Sequence, residues 1–328
     1  MTKNTLALAL CCLAATALMQ PARAGMDVHW DEGATDCDAS PRTPLQVHAY
    51  DATTYILRQN PCAHFEANFV HLLIGRDRAL LIDSGAVADA ARMPLADTVL
   101  GLLPRRGGAP LPLVVTHTHG HRDHRMGDAQ FADRPGVHVV PDDPDAMRAY
   151  FGLEGWPHVL ASIELGDRRI AVIPAPGHHP DHLVFHDART GLLFSGDFLL
   201  PGRLLVDDLR AYRASTARLI AFLDGRPVSH VLGGHLELDV HGRVFPRNAT
   251  HRRNQRPLEL ARQDLLVLDR ALASFNGFHA RHPGFVLVDP VRNLMLLGGV
   301  VAAVLTAATW VIVRACGRRR RASGAGGA

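Results

Sequence analysis

Six consecutive residues, His119-Gly120-His121-Arg122-Asp123-His124, carry three imidazoles and a carboxylate. They follow an apolar, strand-like stretch at 111–115. Side chains two apart on an extended chain share a face, so His119 and His121 can address one cation. A turn into a helix at Asp123 carries Asp123 and His124 to a neighbouring position, suited to a second cation. Imidazole and carboxylate donors suit zinc or a similar first-row metal, and no nearby cysteine closes a structural site. The plain alternative is a polar loop in which Asp123 caps the next helix. So dense a run of donors argues for metal.

Three later segments supply further donors. His178 ends Ala175-Pro176-Gly177-His178 after the apolar run 170–173, and Asp197 ends Ser195-Gly196-Asp197 after 192–194. His235 ends Gly233-Gly234-His235 after 228–232. Each lies just past the carboxyl end of a predicted strand, where α/β sheets place their sites. The adjoining glycines allow tight bends and leave room for substrate.

On these residues the chain resembles the metallo-β-lactamase superfamily, through His119, His121, Asp123 and His124, then His178, Asp197 and His235. Leu81-Ile82-Asp83-Ser84-Gly85 is similar to the family's first motif, and the likeness spans about 69–235. The resemblance implies an α/β fold, a four-layer αββα sandwich. It also implies that His119, His121 and His178 hold one zinc, that Asp123, His124 and His235 hold a second, and that Asp197 bridges them. Iron or manganese are alternative occupants. Two such ions share a water and lower its pKa, making hydroxide available near neutral pH, and Asp123 is the carboxylate expected to orient it. Asp83 or Thr116 is expected to fix the imidazole tautomers from behind.

Aspartate at 197 resembles the glyoxalase II-like branches that cleave thioesters, lactones or phosphodiesters more than the β-lactam-hydrolysing ones. Phe198-Leu199-Leu200 lacks the tyrosine of acyl-homoserine-lactone hydrolases. The expectation is a dinuclear hydrolase acting on a small ester, thioester or lactone. Phosphodiester or β-lactam hydrolysis on the same site is a rival, as is a non-catalytic metal-binding sensor or scaffold. The fold alone does not choose among them. Of the other histidines, His179 and His182 are expected to support the site or line its rim without ligating. Taking His117 as the first ligand misplaces the aspartate.

The ends of the chain bear on where this chemistry happens. Lys3, the apolar stretch 6–19 and Ala22-Arg23-Ala24 read as a secretory signal cleaved after Ala24. An uncleaved anchor is the alternative, for which the apolar run is short. Residues 294–313 carry no charge, and Arg314 and Arg318–Arg321 follow at once. That pattern predicts a single transmembrane helix with a cytoplasmic basic tail and the catalytic part on the extracytoplasmic, periplasmic side. A sorting signal removed after export is the alternative, which Gly298-Gly299 leaves open.

The expected order is a signal peptide (1–24), an exported domain (25–285), a juxtamembrane linker (286–293), the span (294–313) and the tail (314–328). The formal charge of +3 includes two positive charges in the signal segment and five in the tail, so the rest carries about −4. That sign argues against a nucleic-acid partner and leaves a small molecule and the membrane. Of five cysteines, only Cys37 and Cys62 fall in the exported part. An oxidising compartment favours a disulfide between them over two buried thiols.

Between the motifs, 45–57 suggests a first strand pair, while 68–82 and 182–194 read as hairpins each ending in an aspartate. Helices are predicted over 88–103, 143–151, 210–223 and 258–274.

Overall fold

The computed structural model describes residues 25–324, with side chains through Arg314; the expected signal segment lies outside the described residues. The chain opens with β1 (Leu45–Asp51), β2 (Thr54–Gln59), β3 (Phe69–Ile74) and β4 (Ala79–Ile82), then α1 (Leu95–Leu102) and a short hairpin of β5 (Arg105–Arg106) and β6 (Ala109–Pro110). Next come β7 (Leu113–Thr116), α2 (Arg122–Arg125), α3 (Asp128–Phe131), β8 (Val137–Val139) and α4 (Pro144–Phe151). The second half runs through β9 (Ala161–Glu164), β10 (Arg169–Pro174), β11 (Leu183–Asp187), β12 (Leu192–Gly196), β13 (Arg203–Leu205) and α5 (Leu209–Phe222). It ends with β14 (His230–Gly233), β15 (Glu259–Leu260), α6 (Arg262–Ser274), β16 (His279–Arg281), β17 (Val286–Val288) and α7 (Pro290–Gly324).

Two mixed six-stranded sheets result, in the orders β1-β2-β3-β4-β7-β8 and β15-β14-β12-β11-β10-β9. Their central strands are buried along their whole length, as continuous apolar runs require of a sheet covered on both faces. Alternate residues divide between the two faces. Ile56, Phe69, Leu73 and Leu80 meet Ile170, Val172, Phe185 and Phe194 between the sheets. On the outer face of the first sheet, Leu57, Leu72, Leu81 and Val115 pack under Leu95, Val99 and Phe131 of α1 and α3. On the outer face of the second, Ile173, Val184, Leu193 and Val231 pack under Tyr212, Leu219, Leu265 and Leu268 of α5 and α6. The layers therefore run helix, sheet, sheet, helix.

A buried ion pair ties the sheets together. The Arg168 guanidinium donates to Asp187 at 2.6 Å, to the Thr53 carbonyl at 2.9 Å and to the Thr54 hydroxyl at 2.8 Å, crossing from the second sheet to the first. Cys37 and Cys62 form a disulfide that fastens the amino-terminal segment to the loop after β2.

Three boundaries differ from the sequence expectation. The helix expected from 88 begins only at Leu95, because Pro94 occupies the cap position and the preceding residues turn on the Asp89 carbonyl. Residues 259–260, at the expected start of a helix, instead pair with β14 as β15. Residues 286–293, read as a linker, hold β17 and the first turn of α7.

Candidate metal centre

The described fold brings all seven candidate ligands to one end of the two sheets. His119 and His121 follow β7, Asp123 and His124 lie on α2, and His178 lies between β10 and β11. Asp197 follows β12 and His235 follows β14. Parallel pairing of β4 with β7 and of β12 with β14 aligns these carboxyl ends.

The donors form two adjoining groups. In one, Nε2 of His119 lies 2.8 Å from Nδ1 of His121, which is 3.2 Å from Nε2 of His178. In the other, Nε2 of His235 lies 3.2 Å from Nε2 of His124 and 3.1 Å from Oδ2 of Asp123, itself 3.3 Å from His124. Asp197 spans both groups. Its Oδ1 is 3.4 and 3.5 Å from His124 and His235, and its Oδ2 is 3.6 Å from His178.

Imidazole lone pairs brought this close repel one another unless a cation lies between them. A tetrahedron with edges of 3.1 to 3.5 Å has its centre about 1.9–2.1 Å from each corner, close to the length of zinc bonds to nitrogen and oxygen. Oδ1 of Asp197 is buried without a hydrogen-bond partner among the described residues. A Cβ added at Gly234 would stand 2.7 Å from both that oxygen and Cε1 of His124, so the glycine keeps this space open. The donor set fits a pair of zinc-like ions.

The other nitrogens of these rings are engaged from behind. His124 meets Oδ2 of Asp83 through Nδ1 at 2.9 Å. Nδ1 of His178 faces the Leu205 carbonyl at 3.2 Å, and that of His235 faces the Glu66 carbonyl at 3.0 Å. Such contacts fix the tautomer that points Nε2 inward. Asp83 is held at φ +66°, uncommon for a residue with a side chain, and its Oδ1 accepts the Thr118 amide at 2.7 Å.

The expectation for Thr116 is corrected. Its hydroxyl is buried without a partner, and only its carbonyl takes part, accepting the Asp83 amide at 2.8 Å. Thr118, two residues past the end of β7, fills that role. Its hydroxyl is 3.0 Å from Nδ1 of His119 and 3.0 Å from Oδ2 of Asp83.

The local field favours a cation. Burial raises the carboxyl pKa values of Asp123 and Asp197, but His124 and His235 outweigh it and hold both well below the usual carboxylate range. Burial opposes charge on His235, yet Asp197 and Asp123 push it up to about 10. His178, where burial outweighs Asp197, is lowered to about 4. The negative potential therefore concentrates around His124 and His235.

Two further residues belong to the site. Asn68, fully buried, donates from Nδ2 to Oδ2 of Asp123 at 3.2 Å, with Nε2 of His235 3.4 Å away. Its Oδ1 has no partner among the described residues. Nothing in its sequence spacing links it to Asp123, 55 residues on. His182 is fully buried, stacks on His119 with ring centres 4.9 Å apart, and has neither nitrogen partnered among the described residues. His179 pairs with Asp181 at the rim, and His117 turns away to Asp128 at 2.7 Å. Glu237 is taken up by Arg203 at 2.6 Å.

Comparison with known proteins identifies the family. The family model described as the Metallo-beta-lactamase superfamily matches residues 65–250. An acyl-coenzyme A thioesterase MBLAC2 of Gallus gallus is 30% identical over 203 residues, covering 52% of this chain and 72% of that protein. A hydroxyacylglutathione hydrolase of Cereibacter sphaeroides is 32% identical over 154 residues, covering 44% of this chain and 57% of that protein. Among solved structures, a metallo-beta-lactamase from Pontibacter korlensis aligns with a TM-score of 0.48 and 19% identity, over 70% of this chain and 99% of that one.

Proposed function

Because the chain belongs to the metallo-β-lactamase superfamily, we propose that it is a dinuclear, zinc-dependent hydrolase of small esters, thioesters or lactones. We read it as exported and held at a membrane by α7. The observation that carries the reading is the inward convergence of His119, His121, His178, Asp123, His124, Asp197 and His235, with outer nitrogens of His124, His178 and His235 already engaged. The relatives support a thioester or ester in particular, since one is named an acyl-coenzyme A thioesterase and another a hydroxyacylglutathione hydrolase.

His119, His121 and His178 would hold one ion, Asp123, His124 and His235 the other, and Asp197 would reach both. Bound there, the ions supply Lewis acidity and an acidified water near neutral pH. Asp123 is the more exposed of the two ligand carboxylates, 26% against 13% for Asp197, so it is the one placed to orient a water on the substrate side. Asn68 holds the same Asp123 oxygen and keeps the carboxylate turned toward His235. His182 stacks face to face on His119 and backs the ring of that ligand from the buried side.

Membrane attachment rests on α7. Its stretch Pro290–Arg314 is apolar and exposed along its length, long enough to cross a bilayer by composition alone. Trp310 packs under Arg314, a pairing suited to an interface.

Metal analysis of the purified chain, followed by a panel of thioester, lactone, phosphodiester and β-lactam substrates, tests the reading. Two ions per chain and turnover of a thioester or lactone are expected. A fully metallated protein that turns over none of the panel would instead be a metal-binding sensor or scaffold.

A further inference from the structure

We propose that the substrate is delivered by the bilayer, as an acyl ester or thioester carried by an amphiphile of the leaflet next to the site. The proposal rests on the hydrolase and tether readings above and adds the source and class of the substrate.

The argument begins with how α7 is attached. β17 pairs in parallel with β13, placing Val288 opposite Leu205, and the Val206 amide donates to the Val288 carbonyl at 2.8 Å. The Leu205 carbonyl is the same one that faces Nδ1 of His178. Only Asp289 separates β17 from α7. The amides of Asp207 and Asp208 donate to the Gly177 carbonyl at 3.0 Å, fixing the other side of the His178 loop to this junction. From His178 to the base of α7 is thus one hydrogen bond, one strand spacing and one residue, roughly 10–15 Å. No flexible linker intervenes, and the helix leaves from the end of β17 nearest the site.

Bilayer dimensions then set the height of the site. The uncharged stretch 294–313 is about 30 Å long as a helix, the thickness of the hydrocarbon core. Residues 290–293 add about 6 Å, enough to cross the headgroup layer. Asp289 therefore lies at the outer edge of the headgroups, with the site within roughly 10–15 Å of it. An amphiphile can span that distance while part of its chain stays in the hydrocarbon.

The surface around the helix base suits this position. Phe278 is an exposed aromatic whose carbonyl accepts from the Asp289 amide at 3.0 Å and from the Asn293 side chain at 2.9 Å, so its ring stands at headgroup level. A cleft of about 760 Å³ opens between the support of the Gly177 loop and the helix base, lined by Asp207, Asp208, Asp289, Arg210, Arg213 and Arg292. Arg292 is paired with Asp289 and Arg213 is bonded to the Leu272 carbonyl, so Arg210, exposed and without an ion pair among the described residues, is the arginine left to meet a phosphate headgroup.

The test uses the full, metal-loaded chain reconstituted in phosphatidylcholine vesicles. Its two probes are a soluble butanoyl thioester and a hexadecanoyl thioester carried in the same vesicles. A variant with about 20 Gly-Ser residues inserted between Asp289 and Pro290 keeps the tether and removes the rigid junction. The native chain should favour the vesicle-borne thioester. The insertion should lower that turnover about tenfold while leaving butanoyl turnover within about twofold, since only presentation changes. Equal turnover of the vesicle-borne thioester by both proteins, or a native preference for the butanoyl probe, overturns the proposal and leaves the hydrolase reading standing. No turnover of either probe overturns both.

Discussion

Nδ1 of His124 stands 2.9 Å from Oδ2 of Asp83, and both side chains are closed to solvent. Asp83 itself sits in a left-handed backbone conformation at the end of β4, with its other oxygen held by the Thr118 amide. Strain of this kind costs about 1–3 kcal/mol and survives where the surrounding structure over-determines it. Here it aims one carboxylate at the back of a candidate ligand.

Asp83→Asn tests that arrangement. Asparagine tolerates the left-handed backbone, so the fold should persist while the negative charge behind His124 disappears. Zinc affinity at the position of His124 should fall about 10–100-fold, as read by competition with a chromophoric chelator. An unchanged affinity at both positions would sink the supporting role of Asp83.

Asn68→Leu removes the donor to Asp123 without opening a cavity. Asp123 then loses the contact that turns it toward His235, and turnover should fall more than substrate affinity. A tenfold or larger loss in kcat with KM within about threefold is expected. Loss in KM alone would make Asn68 a binding residue, not a positioning one.

The chemistry of this chain was more legible than its scaffolding, and for a physical reason. Ligands cluster in short strings at strand ends, so His119, His121, Asp123 and His124 announce themselves by type and spacing. Thr116 ends β7 and Thr118 lies in the bend beyond it, and the turn at Asp83 decides which hydroxyl reaches the imidazoles. That bend is a tertiary fact. Asn68 was illegible because its partners, Asp123 and His235, lie 55 and 167 residues further along the chain and meet it only through the pairing of the strands. The α1 start was legible in retrospect at Pro94, whereas β15 is only two residues, Glu259 and Leu260, too short for helical and strand periodicities to differ.

Gly234→Ala places a methyl group 2.7 Å from Oδ1 of Asp197 and from Cε1 of His124. The loop lies at the end of the core, so the far-ultraviolet spectrum should match the native one. Metal content by elemental analysis should drop from two ions per chain toward one, because the carboxylate reaching both groups is displaced. Retention of two ions at native affinity would show that Asp197 does not need this space.

The Arg168–Asp187 pair makes the last prediction, about stability and not chemistry. Both side chains are fully buried, so Asp187→Asn leaves the guanidinium unpaired between the sheets and should destabilise the metal-free chain by about 3–5 kcal/mol. The pH dependence has a definite sign. Burial raises the Asp187 carboxyl pKa, but the Arg168 hydrogen bond outweighs it and holds the group below its ordinary value. The folded state therefore gives up this proton more readily than the unfolded state. The contribution of the pair is complete above about pH 4, the range of an unfolded aspartate, and is lost as pH falls through the lower folded value. Urea unfolding of metal-free protein at pH 7 and pH 3 should show a native-minus-variant difference that narrows at the lower pH. A difference that stays constant or widens on acidification would mean that Arg168 does not depend on the Asp187 charge.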